Sequence, residues 1–387
     1  MLGCQKMESN KPKVLVFTDW YLPGYKAGGP ISSIANLVRA LGNDINFKIV
    51  CLDRDYMTDT PYPDVAINQW VKVGLADVFY ISPDNLSKSA IRKKIVEFPN
   101  HRIYINGIFS KYFSVSPLIE SNKLNRQITV APRGMLAPGA LGIKAKKKRA
   151  FLSLAKFLGW YRRVDFHATH PHESDQIKSV ISRKAKVQII PNLPTLPVGE
   201  VQRIEKLENE IRIISVARIA KEKNTAFALK CLEHIPATYS IMVNFIGPVY
   251  DEAYFESCKR IAEGLPANVS VKFSGSIPPA EVSEELAKAH LFFSTTLGEN
   301  YGHAIIEALL SGLPVLISDK TPWGNLKKDD LGRDLPLSDS DAFTDYISQI
   351  AAMSQAEYHS VFKSVGKNAA KRVRLEENIE SYKNLFR

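Results

Sequence analysis

Cysteine is scarce: the 387 residues hold four, Cys4, Cys51, Cys231 and Cys258. None stands in a CxxC pair or has a histidine at metal-ligand spacing, so neither a disulfide scaffold nor a structural zinc site is expected. Long apolar runs are missing too. Those present are of strand length and broken by charges, which excludes a membrane-spanning helix. The first of them, Val14 to Phe17, is too short for the apolar core of a secretory signal, and no apolar stretch precedes Leu2-Gly3-Cys4. A reduced, cytoplasmic protein is the expectation. Short repeats are absent, and 45% hydrophobic with 24% charged residues excludes a disordered or fibrous chain. Acid is in deficit: 40 Asp and Glu against 51 Lys and Arg leave a net charge of +11. Such a surface is drawn to phosphate, whether on nucleotides, nucleic acid or anionic lipid. No aromatic-basic recognition motif accompanies the charge, so nucleic acid is not an expected partner.

What is present is a chain long enough for two cores, in which strand-like runs alternate with helical patterns. The first half offers strands at 13–19, 47–53, 76–81, 102–106, 127–131, 164–169 and 187–191, with helices at 31–41, 87–97 and 144–158. Asn192-Leu193-Pro194-Thr195-Leu196-Pro197 reads as a linker, because its prolines disfavour a continuing element. A charged stretch follows at 200–210. The second series then places strands at 211–217, 239–246, 269–273, 291–294 and 314–318, with helices at 281–289 and 301–311 and a helical stretch over 355–386. Open α/β sheets bind ligands beyond the carboxyl ends of their strands, so the chemistry should lie on the loops that follow them.

Glu299-Asn300-Tyr301-Gly302-His303 leads from a strand into an apolar helix that carries Glu307 and stops at Gly312 and Pro314. A carboxylate on a buried helix needs either an ion pair or a ligand-facing position. The amides around Tyr301, Gly302 and His303 open that helix, which favours an anion such as a diphosphate, and Gly302 permits close approach. Two glutamates with seven residues between them, an aromatic–glycine pair after the first, then Gly312-Leu313-Pro314-Val315 and Thr321-Pro322-Trp323, form a specific pattern. The segment resembles the signature of retaining glycosyltransferases of family 4, in particular of polysaccharide-building members.

That resemblance implies the GT-B fold, an α/β arrangement of two Rossmann-like domains facing across a donor-binding cleft. The domains would be residues 1–195 on the acceptor side and 196–370 on the nucleotide-sugar side, with a helix at 371–387 packing back on the first. It implies that Glu299 reaches the donor sugar and that Glu307 holds ribose hydroxyls. Arg218 and Lys223, in the loop after strand 211–217, would clamp the donor diphosphate, the guanidinium as a fork and the ammonium as a point charge. Ala217 and Asn224 stand where the family usually has glycine. In the first half, Gly28 and Gly29 match a paired-glycine loop that lies against donor phosphate and sugar. Asn106 falls where many members carry a sugar-contacting histidine, and asparagine can hydrogen-bond a hydroxyl but not titrate near neutrality. Arg133-Gly134-Met135 resembles a segment of polysaccharide-assembly members. With His170 and His172, and their neighbours His167 and Glu173, Arg133 is a candidate acceptor contact.

The implied reaction moves a hexose-type sugar, with retention, from a UDP- or GDP-sugar to a glycan or lipid-linked acceptor. Arg218, Lys223 and the helix N-terminus would meet the charge growing on the leaving diphosphate. No cofactor and no metal are expected: Asp53-Arg54-Asp55 and Asp339-Ser340-Asp341 read as solvated loop acids. Residues 144–163, with five Lys and Arg at 144–149 among aliphatic and aromatic neighbours, suggest either a helix on an anionic membrane surface or one packed on its sheet. The alternatives are a GT-B sugar-nucleotide epimerase and a nucleotide-sugar-binding protein without catalysis.

Overall fold

In a computed structural model, residues 11–142, 145–196 and 203–387 are described. Cys4, Lys144 and Pro197, and the start of the charged stretch at 200–202, lie outside them. The chain divides into two compact units, Met1–Leu193 with Leu375–Arg387, and Pro194–Arg374.

The first unit is built on an eight-stranded sheet in the order β3-β4-β2-β1-β5-β6-β7-β8. Its strands are β1 (Lys13–Phe17), β2 (Asn46–Leu52), β3 (Trp70–Val73), β4 (Ala76–Ile81), β5 (Arg102–Asn106), β6 (Ile128–Ala131), β7 (Val164–Ala168) and β8 (Lys186–Ile189). All pair parallel except β3, which turns back on β4. Around them run α1 (Gly29–Leu41), α2 (Lys88–Glu97), α3 (Ser116–Lys123), α4 (Pro138–Gly142), α5 (Ala145–Phe157) and α6 (Pro171–Val180). Side chains of a strand alternate between faces, and both faces of β1 are buried. Val14 and Val16 join one core with Ile34, Leu37 and Leu41 of α1. Leu15 and Phe17 join the other with Ile91 of α2, Leu118 of α3, Leu152 of α5 and Ile177 of α6.

The second unit holds a six-stranded parallel sheet in the order β11-β10-β9-β12-β13-β14. Its elements are β9 (Glu210–Val216), α7 (Thr225–Lys230), β10 (Ser240–Ile246), α8 (Glu252–Glu263), β11 (Val269–Gly275), α9 (Pro279–Ala287), β12 (Leu291–Ser294), α10 (His303–Leu310), β13 (Val315–Ser318), β14 (Gly332–Leu335), α11 (Ser340–Ala352), α12 (Gln355–Phe362) and α13 (Val365–Val373). Arg374, at φ 48°, separates α13 from α14 (Leu375–Phe386). That last helix belongs to the first unit. Tyr382, Leu385 and Phe386 enter the α1-side core, and Lys383 pairs with Asp44 at 2.9 Å.

Several expectations need correction. β3 and β14 were not expected. Trp70 of β3 earns its place by packing edge-on against Phe79 and Phe98, and β14 carries only Gly-Arg-Asp-Leu, with no β-branched residue to betray it. The helical stretch expected over 355–386 is present as α12, α13 and α14, with Arg374 leaving the helical region between the last two. The linker is pinned at its start: Asn192 and Leu193 are buried, and Asn36 Nδ2 donates to the Leu193 carbonyl at 3.0 Å. Asp53 and Asp55 are buried rather than solvated. Asp55 Oδ2 accepts from the backbone amides of Tyr25 and Lys26 at 2.8 and 3.0 Å, which replaces the water it loses.

Candidate functional site

In the second unit the site residues sit on the loops that follow β9 and β12. After β9 the chain runs through Arg218 into a short 3₁₀ turn, Lys221–Lys223, and Asn224, at φ 56°, redirects it into α7. The β12 loop is stitched to this turn. Leu297 N and Thr296 Oγ1 both donate to the Glu222 carbonyl, at 2.9 and 3.1 Å, and Thr295 Oγ1 donates to the Asn224 carbonyl at 2.9 Å. The stitching brings Lys223 Nζ into an ion pair with Glu299 Oε1, although the two are 76 residues apart in sequence. Both side chains are largely buried, at 16% and 19% exposure, so water screens the pair less than a surface one. Arg218 lies on the same loop, its Nε 2.8 Å from Glu222 Oε1 and its guanidinium 5.3 Å from the centre of the Tyr250 ring.

Glu299 is fixed through its own amide, which donates to the Lys320 carbonyl at 3.1 Å. Beyond Asn300, Gly302 is the N-cap of α10, and its φ of 78° is left-handed. A Cβ there would come within 2.9 Å of Ile305 Cδ1 and 3.4 Å of Trp323 Nε1, so conformation disfavours a side chain at 302 and the end of the Ile305 side chain would have to shift to admit one. The Tyr301 ring is buried between His303 and Trp323, with centroids 4.8 and 5.6 Å away, and Trp323 Nε1 donates to the Tyr301 carbonyl. Tyr301 therefore shapes the loop with its ring. Helix geometry leaves the first amides of α10 without intrahelical acceptors, which aims partial positive charge out of its N-terminus. Glu307 is half-buried just over one turn into α10, where its Oε1 accepts from Thr195 Oγ1 at 2.8 Å. Thr195 was not singled out from sequence; a threonine between two prolines carries no signal of such a contact.

In the first unit, the loop between β1 and α1 is held by Asp55 and by turns closing Gly24 N on the Tyr21 carbonyl and Gly28 N on the Tyr25 carbonyl, both at 3.0 Å. Gly28 has φ 66° with open space where a Cβ would stand, so conformation rather than crowding demands glycine there. Gly29 opens α1. Asn106 ends β5, and its Nδ2 donates to Thr18 Oγ1 and the Pro30 carbonyl, both at 3.2 Å, while Oδ1 accepts from Arg133 Nε at 2.7 Å. Both amide hydrogens are thus committed within the unit, and a lone pair on Oδ1 is what Asn106 can offer a ligand. Arg133 also reaches Asn192 Oδ1 through Nη1 and the Tyr104 hydroxyl through Nη2.

His170 is the N-cap of α6, its Nδ1 accepting from Glu173 N at 3.3 Å, and the exposed His172 stacks on it at 6.2 Å between centroids. Their two neighbours are not ligand contacts. His167 is buried between the Tyr104 hydroxyl (2.7 Å) and the Ile190 carbonyl (2.8 Å), and burial, with Arg133 nearby, pushes its pKa down to about 3. Glu173 is wholly buried, accepting from Gly134 N, Thr169 N and Thr169 Oγ1 at 2.6, 2.7 and 2.8 Å. Among the described residues no group of three or more His, Cys, Asp or Glu is placed to hold a metal ion.

Residues 200–371 match the model of glycosyl transferases group 1. The chain is 25% identical over 173 residues to the alpha-monoglucosyldiacylglycerol synthase of Streptococcus pneumoniae (strain ATCC BAA-255 / R6), covering 43% of this chain and 38% of that one. It is 30% identical over 104 residues to the sulfoquinovosyl transferase SQD2 of Arabidopsis thaliana, covering 27% and 18%. The chain thus spans well under half the length of these curated relatives. The structure of Anabaena HepE in complex with UDP and glucose superposes with a TM-score of 0.71 at 15% identity, over 97% of this chain and 99% of that one. The fold is that of GT-B glycosyltransferases: two α/β units, each on a largely parallel sheet.

Proposed function

We propose that this protein is a retaining glycosyltransferase of the family 4 type, moving a hexose-type sugar from a UDP- or GDP-sugar to a glycan or lipid-linked acceptor in surface polysaccharide biosynthesis. The observation that carries the reading is the Lys223–Glu299 ion pair at the mouth of α10. It sets a cation, a carboxylate and a helix N-terminus together on loops beyond the strand ends, within the segment matched by the group 1 model. As the bond between anomeric carbon and phosphate oxygen breaks, negative charge grows on the leaving diphosphate. Arg218, Lys223 and the α10 amides stabilise it electrostatically. Glu299 is left to orient the sugar, and Glu307 to accept from ribose hydroxyls. HepE was solved with UDP and glucose, which supports a nucleotide-sugar donor for this fold.

The test is thermal stabilisation of the protein by a panel of nucleoside diphosphates, with excess chelator as a second arm. UDP or GDP should raise the melting temperature in wild type and fail to do so in Glu307→Ala and Arg218→Ala. Chelator should leave turnover unchanged, since these cations supply the charge a metal would. No shift with any nucleotide would remove the donor reading, and activity restored by magnesium or manganese would remove the metal-independent one.

The acceptor side bears on location. No helix among the described residues is long and apolar enough to cross a membrane. Yet α5 packs inward through Leu152 and Ala155, while its Leu154 and Phe157, and Leu158 just beyond it, are exposed, Phe157 at 84%. Lys146, Lys147, Arg149, Lys156, Arg162 and Arg163 are exposed around them. Apolar side chains ringed by cations suit the headgroup layer of an anionic bilayer at the cytoplasmic face of the plasma membrane. The protein should float with phosphatidylglycerol-containing liposomes and Phe157→Asp should not; flotation independent of anionic lipid would count against this.

A further inference from the structure

The polar cluster beneath the β1–α1 loop contains a strained arginine that the proposed reaction does not itself use. Pro132-Arg133-Gly134-Met135 is a tight turn, closed by Met135 N on the Pro132 carbonyl at 3.1 Å. Both central residues have positive φ, 57° for Arg133 and 76° for Gly134, as in a type I′ turn. Such a backbone is unfavourable for arginine, and it persists only where surrounding contacts enforce it. Here they do. The buried Glu173 holds Gly134 N at 2.6 Å from one side. From the other, the guanidinium donates in three directions, to Asn106 Oδ1, Asn192 Oδ1 and the Tyr104 hydroxyl. Burial opposes the charge on Arg133, but the neighbouring Tyr104, Tyr382 and Glu173 keep it protonated.

We infer that Arg133 is a positioning residue, which orients the Asn106 amide so that Asn106 clamps the carboxyl end of β1 and the first turn of α1 behind Gly28. An asparagine amide can face either way, and its orientation is set by what meets its oxygen. Arg133 Nε, a donor with no acceptor capacity, fixes Oδ1 toward itself and so turns Nδ2 toward Thr18 Oγ1 and the Pro30 carbonyl. Thr18 follows β1, and Pro30 lies in the first turn of α1, where Ile31 N and Ser32 N close on the Gly28 carbonyl at 3.0 and 3.2 Å. The relay thus fixes from below a loop whose glycine leaves open space above it. Its effect on turnover rests on the proposed function, which assigns Gly28 and Gly29 to the donor; its effect on the loop does not.

The experiment is amide hydrogen exchange at Ile31 and Ser32, alongside turnover and the dissociation constants of UDP and GDP. Arg133→Ala and Asn106→Ala should each speed that exchange at least tenfold and lower kcat at least tenfold, with nucleotide affinity within twofold of wild type. The double variant should be no worse than the worse single. Arg133→Lys should not restore either property, because an ammonium cannot copy the three-way fork. Asn106→Asp keeps a partner for Arg133 while losing both donations, so it reads the clamp even where Arg133→Ala folds poorly. Wild-type exchange at Ile31 and Ser32 in folded Arg133→Ala or Asn106→Asp would overturn the inference. Faster exchange in a protein whose wild type transfers no sugar would sink the proposed function and leave the positioning role standing.

Discussion

Lys223→Ala should lower kcat/KM by on the order of 10³-fold, the largest loss expected from any single side chain. Removing one preorganised donor from a developing oxyanion typically loses roughly 10²–10³-fold. A second effect adds to it. Glu299, only 19% exposed, would lose the cation that neutralises it and stand as a bare carboxylate where the proposed diphosphate must bind. The sign of the coupling follows. Glu299→Gln alone should also lower turnover, through its lost contact with the sugar. In the Lys223→Ala background the same change should help, because it removes a repulsive charge. Steady-state kinetics on the four proteins of this double-mutant cycle decide it. Losses that multiply would mean that the two side chains act independently, and the ion pair would then be a structural tie rather than part of a donor site.

How much of this was legible beforehand depended on whether the signal was local. The strands buried on both faces announce themselves as short runs of Val, Ile and Phe, and β4, β5 and β12 fall on the expected residues. β14, with Gly-Arg-Asp-Leu, gives no such signal and forms only because β13 presents an edge to it. The site loops were legible in the same way, since Arg218, Lys223 and the two glutamates follow strands at fixed spacing. What joins them was not. The stitching through the Glu222 carbonyl and the contact from Thr195 to Glu307 are made across long sequence separations by groups found on every surface. Charged residues misled most. Lys206 belongs to a charged stretch, yet it is 1% exposed, its ammonium donating to the carbonyl of Leu207 and, at the end of α11, to those of Ala351 and Met353. Burial pushes its pKa down to about 8. Asp55 likewise looked like a solvated acid because its two amide partners lie some thirty residues upstream. In each case the compensating partner is backbone, which side-chain patterns do not reveal.

Gly247 shows how a residue outside every motif can control one inside it. At φ 150° it follows β10, its amide bonded to the Gly275 carbonyl at 2.8 Å. A Cβ added there would stand 2.1 Å from the Ala217 carbonyl oxygen and 2.9 Å from Arg218 N. Both are backbone atoms, so no rotamer change relieves the clash. Either Gly247 leaves its bond to Gly275, or the β9 loop carrying Arg218 moves. Gly247→Ala should therefore destabilise the second unit by about 2–4 kcal/mol, combining overpacking with an unfavourable backbone. For a unit of this size that lowers the melting temperature by roughly 5–15 °C. Turnover at a temperature where the variant is still folded should fall as well, because Arg218 is displaced. Gly275→Ala is the matched control: it too has a positive φ, 68°, but open space for a Cβ, and should lose only about 1 kcal/mol. Thermal melts of the two variants separate steric contact from backbone preference. Equal losses would show that conformation alone demands glycine at 247, whereas a larger loss there, accompanied by weaker nucleotide binding, ties the close approach of β10 to the placement of Arg218.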